Sequence, residues 1–262
     1  MKRKSLTSYQ YYSGLIAILL LYLGVSFYQI HLPGLHYDEA FEAVPALQLI
    51  NNQTVTPFRN SAISLGPYRL PLMTQDYIGA LNTYLSLPFI TLLGATPTAL
   101  RTMSILVGVI TLWLTCLLTT HLTKNSYAGL GAALLLSVDP TFVFWNRQGI
   151  FVTAITAAIG LGAAYCLIRR FQSDTTKWWS IAGAFLLGLG LYAKFLFLWL
   201  ILALAGSLLL LNLYSIFQKR GHIFSNSTEG LTIDLQFPGP LLNLTKQETV
   251  LIAISFLIGC WP

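Results

Sequence analysis

Three of the nine acidic residues in the chain fall within five positions, in the stretch Tyr37-Asp38-Glu39-Ala40-Phe41-Glu42. A positioned carboxylate can take the proton from an attacking hydroxyl or amine, a contribution of about 10²–10⁴ in rate. The plainer reading makes Asp38 a helix N-cap, with Glu39 and Glu42 favoured by the positive end of the helix dipole. His31 and His36 bracket the turn before Asp38. No third ligand stands at a suitable spacing, so no metal site is predicted, although use of a divalent metal stays open. Which reading holds depends on the elements that carry these acids.

Only 9% of the 262 residues are charged, 55% are hydrophobic, and the mean hydropathy is +0.66. An ordinary soluble domain carries about 25% charged residues. The composition excludes a disordered chain, a cytosolic enzyme and a disulfide-stapled secreted module. Cys116, Cys166 and Cys260 all lie in apolar stretches and form no metal or disulfide set. The net charge of +6 comes from dispersed basic residues, which argues against nucleic acid as a partner. An all-α polytopic membrane protein remains, with membrane lipids around it.

A span needs about 20 apolar residues. Residues 11–30 follow Lys2, Arg3 and Lys4 and read as an uncleaved anchor with a cytoplasmic N-terminus. Residues 31–100 then form a long outer loop with juxtamembrane helices. Residues 101–217 hold helices 2–6, at about 101–122, 126–145 and 150–169, followed by a hairpin over 178–217 that turns near Lys194. A cytoplasmic loop covers 218–248, and a seventh helix starts in 249–262. Those 14 residues reach only about 21 Å, so the chain is expected to be truncated at its C-terminus or to have a separate C-terminal half.

The charge-free run 77–100 decides the topology. Placed in the interface, it leaves 10 Lys and Arg residues inside and 5 outside; as a span, it leaves 6 inside and 9 outside. The positive-inside rule selects the interfacial placement. The five outer cations are then Arg59, Arg69, Arg101, Arg147 and Lys194.

In this order of elements, four stretches resemble the GT-C glycosyltransferases, in particular family 39, which includes protein O-mannosyltransferases and lipid A aminoarabinose transferases. The first is Tyr37-Asp38-Glu39-Ala40 after an anchor helix. The second is Tyr77-Ile78-Gly79-Ala80-Leu81-Asn82-Thr83-Tyr84-Leu85, followed by Leu93-Gly94. Leu100-Arg101-Thr102-Met103 opens the next helix, and Asp139-Pro140 leads to Phe144-Trp145-Asn146-Arg147. The ending Ile258-Gly259-Cys260-Trp261-Pro262 resembles a stretch that usually continues.

The resemblance implies transfer of a sugar from a polyprenyl-phosphate donor to a protein, lipid or glycan acceptor, at the outer face of the cell's inner or plasma membrane. It implies Asp38 as the catalytic carboxylate with Glu39 beside it. Arg59, Arg69, Tyr77, Arg147 and Gln148 are expected on the substrate side, where arginines offer a planar fork to phosphate oxygens. Each basic residue also has a plainer reading, as an interfacial anchor, a solvated charge or, for Lys194, a snorkelling side chain. Two departures stand out: Pro45 interrupts the helix after Asp38, and 149–153 lacks the carboxylate some relatives carry. The alternatives are a transporter or flippase of lipid-linked sugars and an inactive fragment of the transferase. The first is disfavoured because nearly all charges lie at segment ends.

Overall fold

The computed structural model describes residues 6–32, 34–66, 68–148, 152–172, 177–221 and 246–261. Lys2, Arg3 and Lys4, most of the expected cytoplasmic loop, Pro33 and residues 149–151 lie outside the described residues.

Helix α1 (Ser8–Phe27) starts where Thr7 and Gln10 bond each other's backbone N–H groups in a capping box. Helix α2 (Tyr37–Ile50) carries the acidic cluster and runs through Pro45 instead of stopping there. Two antiparallel hairpins follow that the sequence reading did not foresee: β1 (Ala62–Leu65) with β2 (Tyr68–Pro71), and β3 (Met73–Gln75) with β4 (Ile78–Gly79). Helix α3 (Leu81–Leu93) has 13 residues, about 20 Å, too short to span a ~30 Å hydrocarbon core.

Helix α4 (Pro97–Thr123) begins earlier than expected, because Thr96 caps it with Pro97 in the first turn. The expected straight third helix is two helices, α5 (Ser126–Ser137) and α6 (Pro140–Arg147), bent by 62°. The break has a local cause: Asp139 Oδ1 accepts from the Phe142 N–H at 2.7 Å and starts a new helix. Helices α7 (Val152–Gln172), α8 (Lys177–Ala193), α9 (Leu198–Gly221) and α10 (Lys246–Cys260) complete the described chain. Lys194 and a short 3-10 turn, Phe195–Phe197, join α8 to α9, where the hairpin turn was expected.

The molecule is an all-α polytopic membrane protein. Seven spans were expected. Among the described residues, α1 and α4 are each long and apolar enough to cross, and the bent α5–α6 pair makes a third candidate. Helix α8, with 17 residues, and α10, with 15, are shorter.

Helix α4 is the centre, packing against α1, α3, α5, α6 and α7. Leu100 and Met103 near its start share one core with Ala43 and Ala46 of α2, Ile155 and Ile159 of α7, and Phe197. Near its other end, His121 meets Tyr165 of α7. Thus α4 and α7 run in the same direction. The start of α4, the start of α7, α2, both hairpins and the Lys194 turn all gather at one end of the bundle. At the opposite end, Arg170 pairs with Glu248 at 3.3 Å.

Candidate functional site

The segment joining α1 to α2 is held by two arginines from different helices. Arg147, at the end of α6, donates to the carbonyls of Tyr28 and Gln29, the latter at 2.7 Å. Arg101, in the first turns of α4, is 1% exposed and donates to the carbonyls of Ile30 and Gly34. Its Nε also meets Glu39 Oε1 at 3.1 Å, and its Nη2 meets Oε2 at 3.3 Å. Glu39 is fully buried, and its Oε2 accepts a further bond from the His36 N–H at 2.7 Å. A bidentate pair with filled remaining sites is the geometry that lets two charges leave water.

These contacts set the start of α2. His36 is the N-cap, with Nδ1 accepting from the Asp38 N–H at 3.3 Å. Asp38 therefore lies inside the first turn and is not the cap. Its side chain is 41% exposed, near His36 Nδ1 at 3.8 Å. Adjacent residues of a helix point about 100° apart. Glu39 accordingly faces the core and Asp38 faces out.

One turn on, Glu42 is 2% exposed. Its Oε1 accepts from Thr74 Oγ1 of β3 at 3.0 Å, and its backbone carbonyl accepts from Thr83 Oγ1 of α3 at 3.1 Å. Glu42 Oε2 has no hydrogen-bond partner among the described residues, and neither side-chain atom of Asn82 has one. Burial pushes the Glu42 carboxyl up to about 8; the Thr74 bond opposes the rise and the Asp38 charge adds to it. The sequence reading did not place Glu42 or Thr74 in the site. The spacing of Asp38 and Glu42, four apart on one helix face, was the available sign.

The remaining residues divide. Arg59 pairs with Asp76 at 2.7 Å on the exposed hairpins and lies 5.2 Å from the Phe58 ring centroid. Arg69 donates to Asn60 Oδ1. The Tyr77 carbonyl accepts from the Phe195 N–H at 2.9 Å, and Ile78 forms a bridge with Lys194, so β4 is tied to the α8–α9 turn. Lys194 Nζ is 3.4 Å from Thr153 Oγ1 and 6.0 Å from the Tyr77 ring centroid. Gly79 makes this approach possible: a Cβ there would sit 2.2 Å from the Tyr192 carbonyl oxygen. Gln148 closes α6 through its N–H to the Phe144 carbonyl, at 3.0 Å. The structure thus brings Arg101 and Arg147 to the segment before Asp38, and Tyr77 to Lys194. Arg69 remains on β2, and Arg59 in the 3-10 turn Phe58–Asn60 before β1.

The family model described as dolichyl-phosphate-mannose-protein mannosyltransferase matches residues 81–231, more than half of the chain. The match includes Arg101, Arg147, Gln148 and Lys194 and begins after the acidic cluster. No curated protein and no solved structure matches the chain.

Proposed function

The chain belongs to the dolichyl-phosphate-mannose-protein mannosyltransferase family, and from that premise we propose that it transfers a sugar from a polyprenyl-phosphate donor, with Asp38 as the catalytic carboxylate. The coarser statement follows from the family and the apolar helices: this is a membrane glycosyltransferase of the mannosyltransferase kind. The observation that carries the finer one is the pair of neighbouring acids with opposite fates. Glu39 is buried on Arg101, while Asp38, on the same turn, is open to an incoming substrate.

In this reaction the acceptor's nucleophilic atom bonds to the anomeric carbon as the bond from that carbon to the phosphate oxygen breaks. The acceptor's proton passes to Asp38, and the bonding electron pair leaves with the lipid phosphate. Glu39, Arg101 and Arg147 are positioning residues, since their hydrogen bonds run to one another or to the chain before α2. Lys194 and Arg69 are free of carboxylate partners within ion-pair distance among the described residues, so we assign them to the leaving phosphate. Tyr77, beneath Lys194, together with Arg59 and Gln148, completes the substrate side. The N-terminus is cytoplasmic and the site lies at the outer face of the inner or plasma membrane. The gathering of all five expected outer cations at one end of the bundle supports this orientation.

The test is D38N in the full chain, assayed in membranes with radiolabelled polyprenyl-phosphate mannose. Transfer is expected to fall at least about 100-fold, the scale of a lost general base, at an unchanged protein level. Undiminished transfer overturns the assignment of Asp38.

A further inference from the structure

Helix α2 carries a second carboxyl on the Asp38 face, and it has a different environment. Glu42 is closed off by β3, α3 and α8. Its Oε1 holds the Thr74 hydroxyl, and its Oε2 has no partner among the described residues. The groups placed against it are Asp38 from its own helix, Thr74 from β3, Thr83 from α3, and Tyr192 from α8. The charge acting on it is that of Asp38, which is negative. An ionised carboxylate in this place has one hydrogen-bond donor and no counter-ion among the groups named, so the neutral acid is the form that fits.

We propose that Glu42 is a positioning residue that works as a protonated acid, pinning the β3–β4 hairpin to the helix that carries Asp38 and leaving Asp38 as the charged carboxylate of that face. The two carboxyls therefore differ in role because they differ in environment. The hairpin matters because β4 also bridges to Lys194, so Glu42 links the base and the cation through one short piece of chain. Ionising Glu42 puts a second negative charge where an anionic lipid-phosphate donor must approach. It also replaces a neutral contact between α2 and β3 with a buried, unpaired charge. Both effects weaken use of the donor. The rise of the Glu42 carboxyl to about 8 locates the change just above neutral pH.

The activity arm of the test rests on the transferase reading above; the stability arm does not. In the full chain, kcat/KM for labelled polyprenyl-phosphate mannose is measured from pH 6 to 9.5 for wild type, E42Q and T74V. Wild type is expected to lose activity through about pH 8, mainly through KM for the donor. In E42Q this alkaline limb disappears, whatever the height of the plateau. In T74V it moves to higher pH, because the lost hydrogen bond had favoured the ionised form. A limb unchanged in E42Q overturns the proposal.

Thermal unfolding in detergent supplies the second arm. Below about pH 4.5 both folded and unfolded chains hold the proton. Above it the unfolded chain releases the proton first, so stability falls as pH rises, until the folded carboxyl ionises near 8. The unfolding midpoint of wild type is therefore expected to drop across this range, and that of E42Q to drop less. Equal slopes overturn the proposal. A wild type with no transfer at any pH, but with this difference in slope, refutes the transferase reading and leaves the role of Glu42 standing.

Discussion

Replacing Arg101 with Met tests whether the buried ion pair positions the site. The guanidinium is 1% exposed and makes four hydrogen bonds, two to Glu39 and one each to the carbonyls of Ile30 and Gly34. Removing one partner of a buried pair costs about 3–5 kcal/mol, because the other charge stays buried without compensation. Here that charge is Glu39, fully buried, with only the His36 N–H left to it. R101M should therefore lose about 3–5 kcal/mol of stability. The double variant R101M/E39M removes both charges and should recover the part of the loss that comes from the unpaired Glu39 carboxylate, while the Ile30 and Gly34 carbonyls and the His36 N–H stay unpaired. Transfer should fall in both variants, since a displacement of about 1 Å at a catalytic group costs on the order of 100-fold. The assay is a double-mutant cycle by thermal unfolding in detergent, with labelled-sugar transfer on the same samples. Additive losses, with no coupling between positions 39 and 101, would refute the claim that this pair fixes the first turn of α2.

Two further outcomes follow from the packing. K194Q should lower kcat more than it raises KM for the donor, because the proposed role of Lys194 is to meet charge that develops as the phosphate leaves, and K194R should restore part of the loss, as measured by initial rates over a range of donor concentrations. G188A should destabilise the chain by about 1–3 kcal/mol, read as a lower unfolding midpoint, because a Cβ there would lie 2.1 Å from the Phe256 carbonyl oxygen and 3.0 Å from the Cys260 nitrogen where α8 meets α10.

Much of the helical order was legible because long apolar runs end at charges, and the charges here are few. The break at Lys194 between α8 and α9 came from that reading. The bend between α5 and α6 did not, although its local sign was present. Asp139 before Pro140 is an N-cap followed by the residue best suited to a first helical position. The apolar run around it outweighed the sign. The two hairpins were missed because each strand is only two to four residues long, too short for an alternating pattern to declare itself.

The site was legible as a cluster but not as a set of roles. Nothing local tells Asp38 from Glu39. What separates them is Arg101, 62 residues away, which reaches the buried one and leaves the other open. The same long-range geometry sorts the cations. Arg101 and Arg147 both stand at the end of the bundle that holds Asp38, and Arg147 was expected on the substrate side, yet each turns its guanidinium onto backbone carbonyls of the link between α1 and α2. That link must be held at both ends if the next turn is to present a carboxylate at a fixed place, and a planar fork of donors holds carbonyls at set positions more rigidly than a lysine ammonium on its flexible stem. Lysine, a compact charge on a flexible stem, fits the other task, following a phosphate as its bond to the sugar breaks. The division of labour among these three thus follows from side-chain shape: Arg101 and Arg147 hold the chain before Asp38, and in the proposed reaction Lys194 meets the charge that the phosphate takes away.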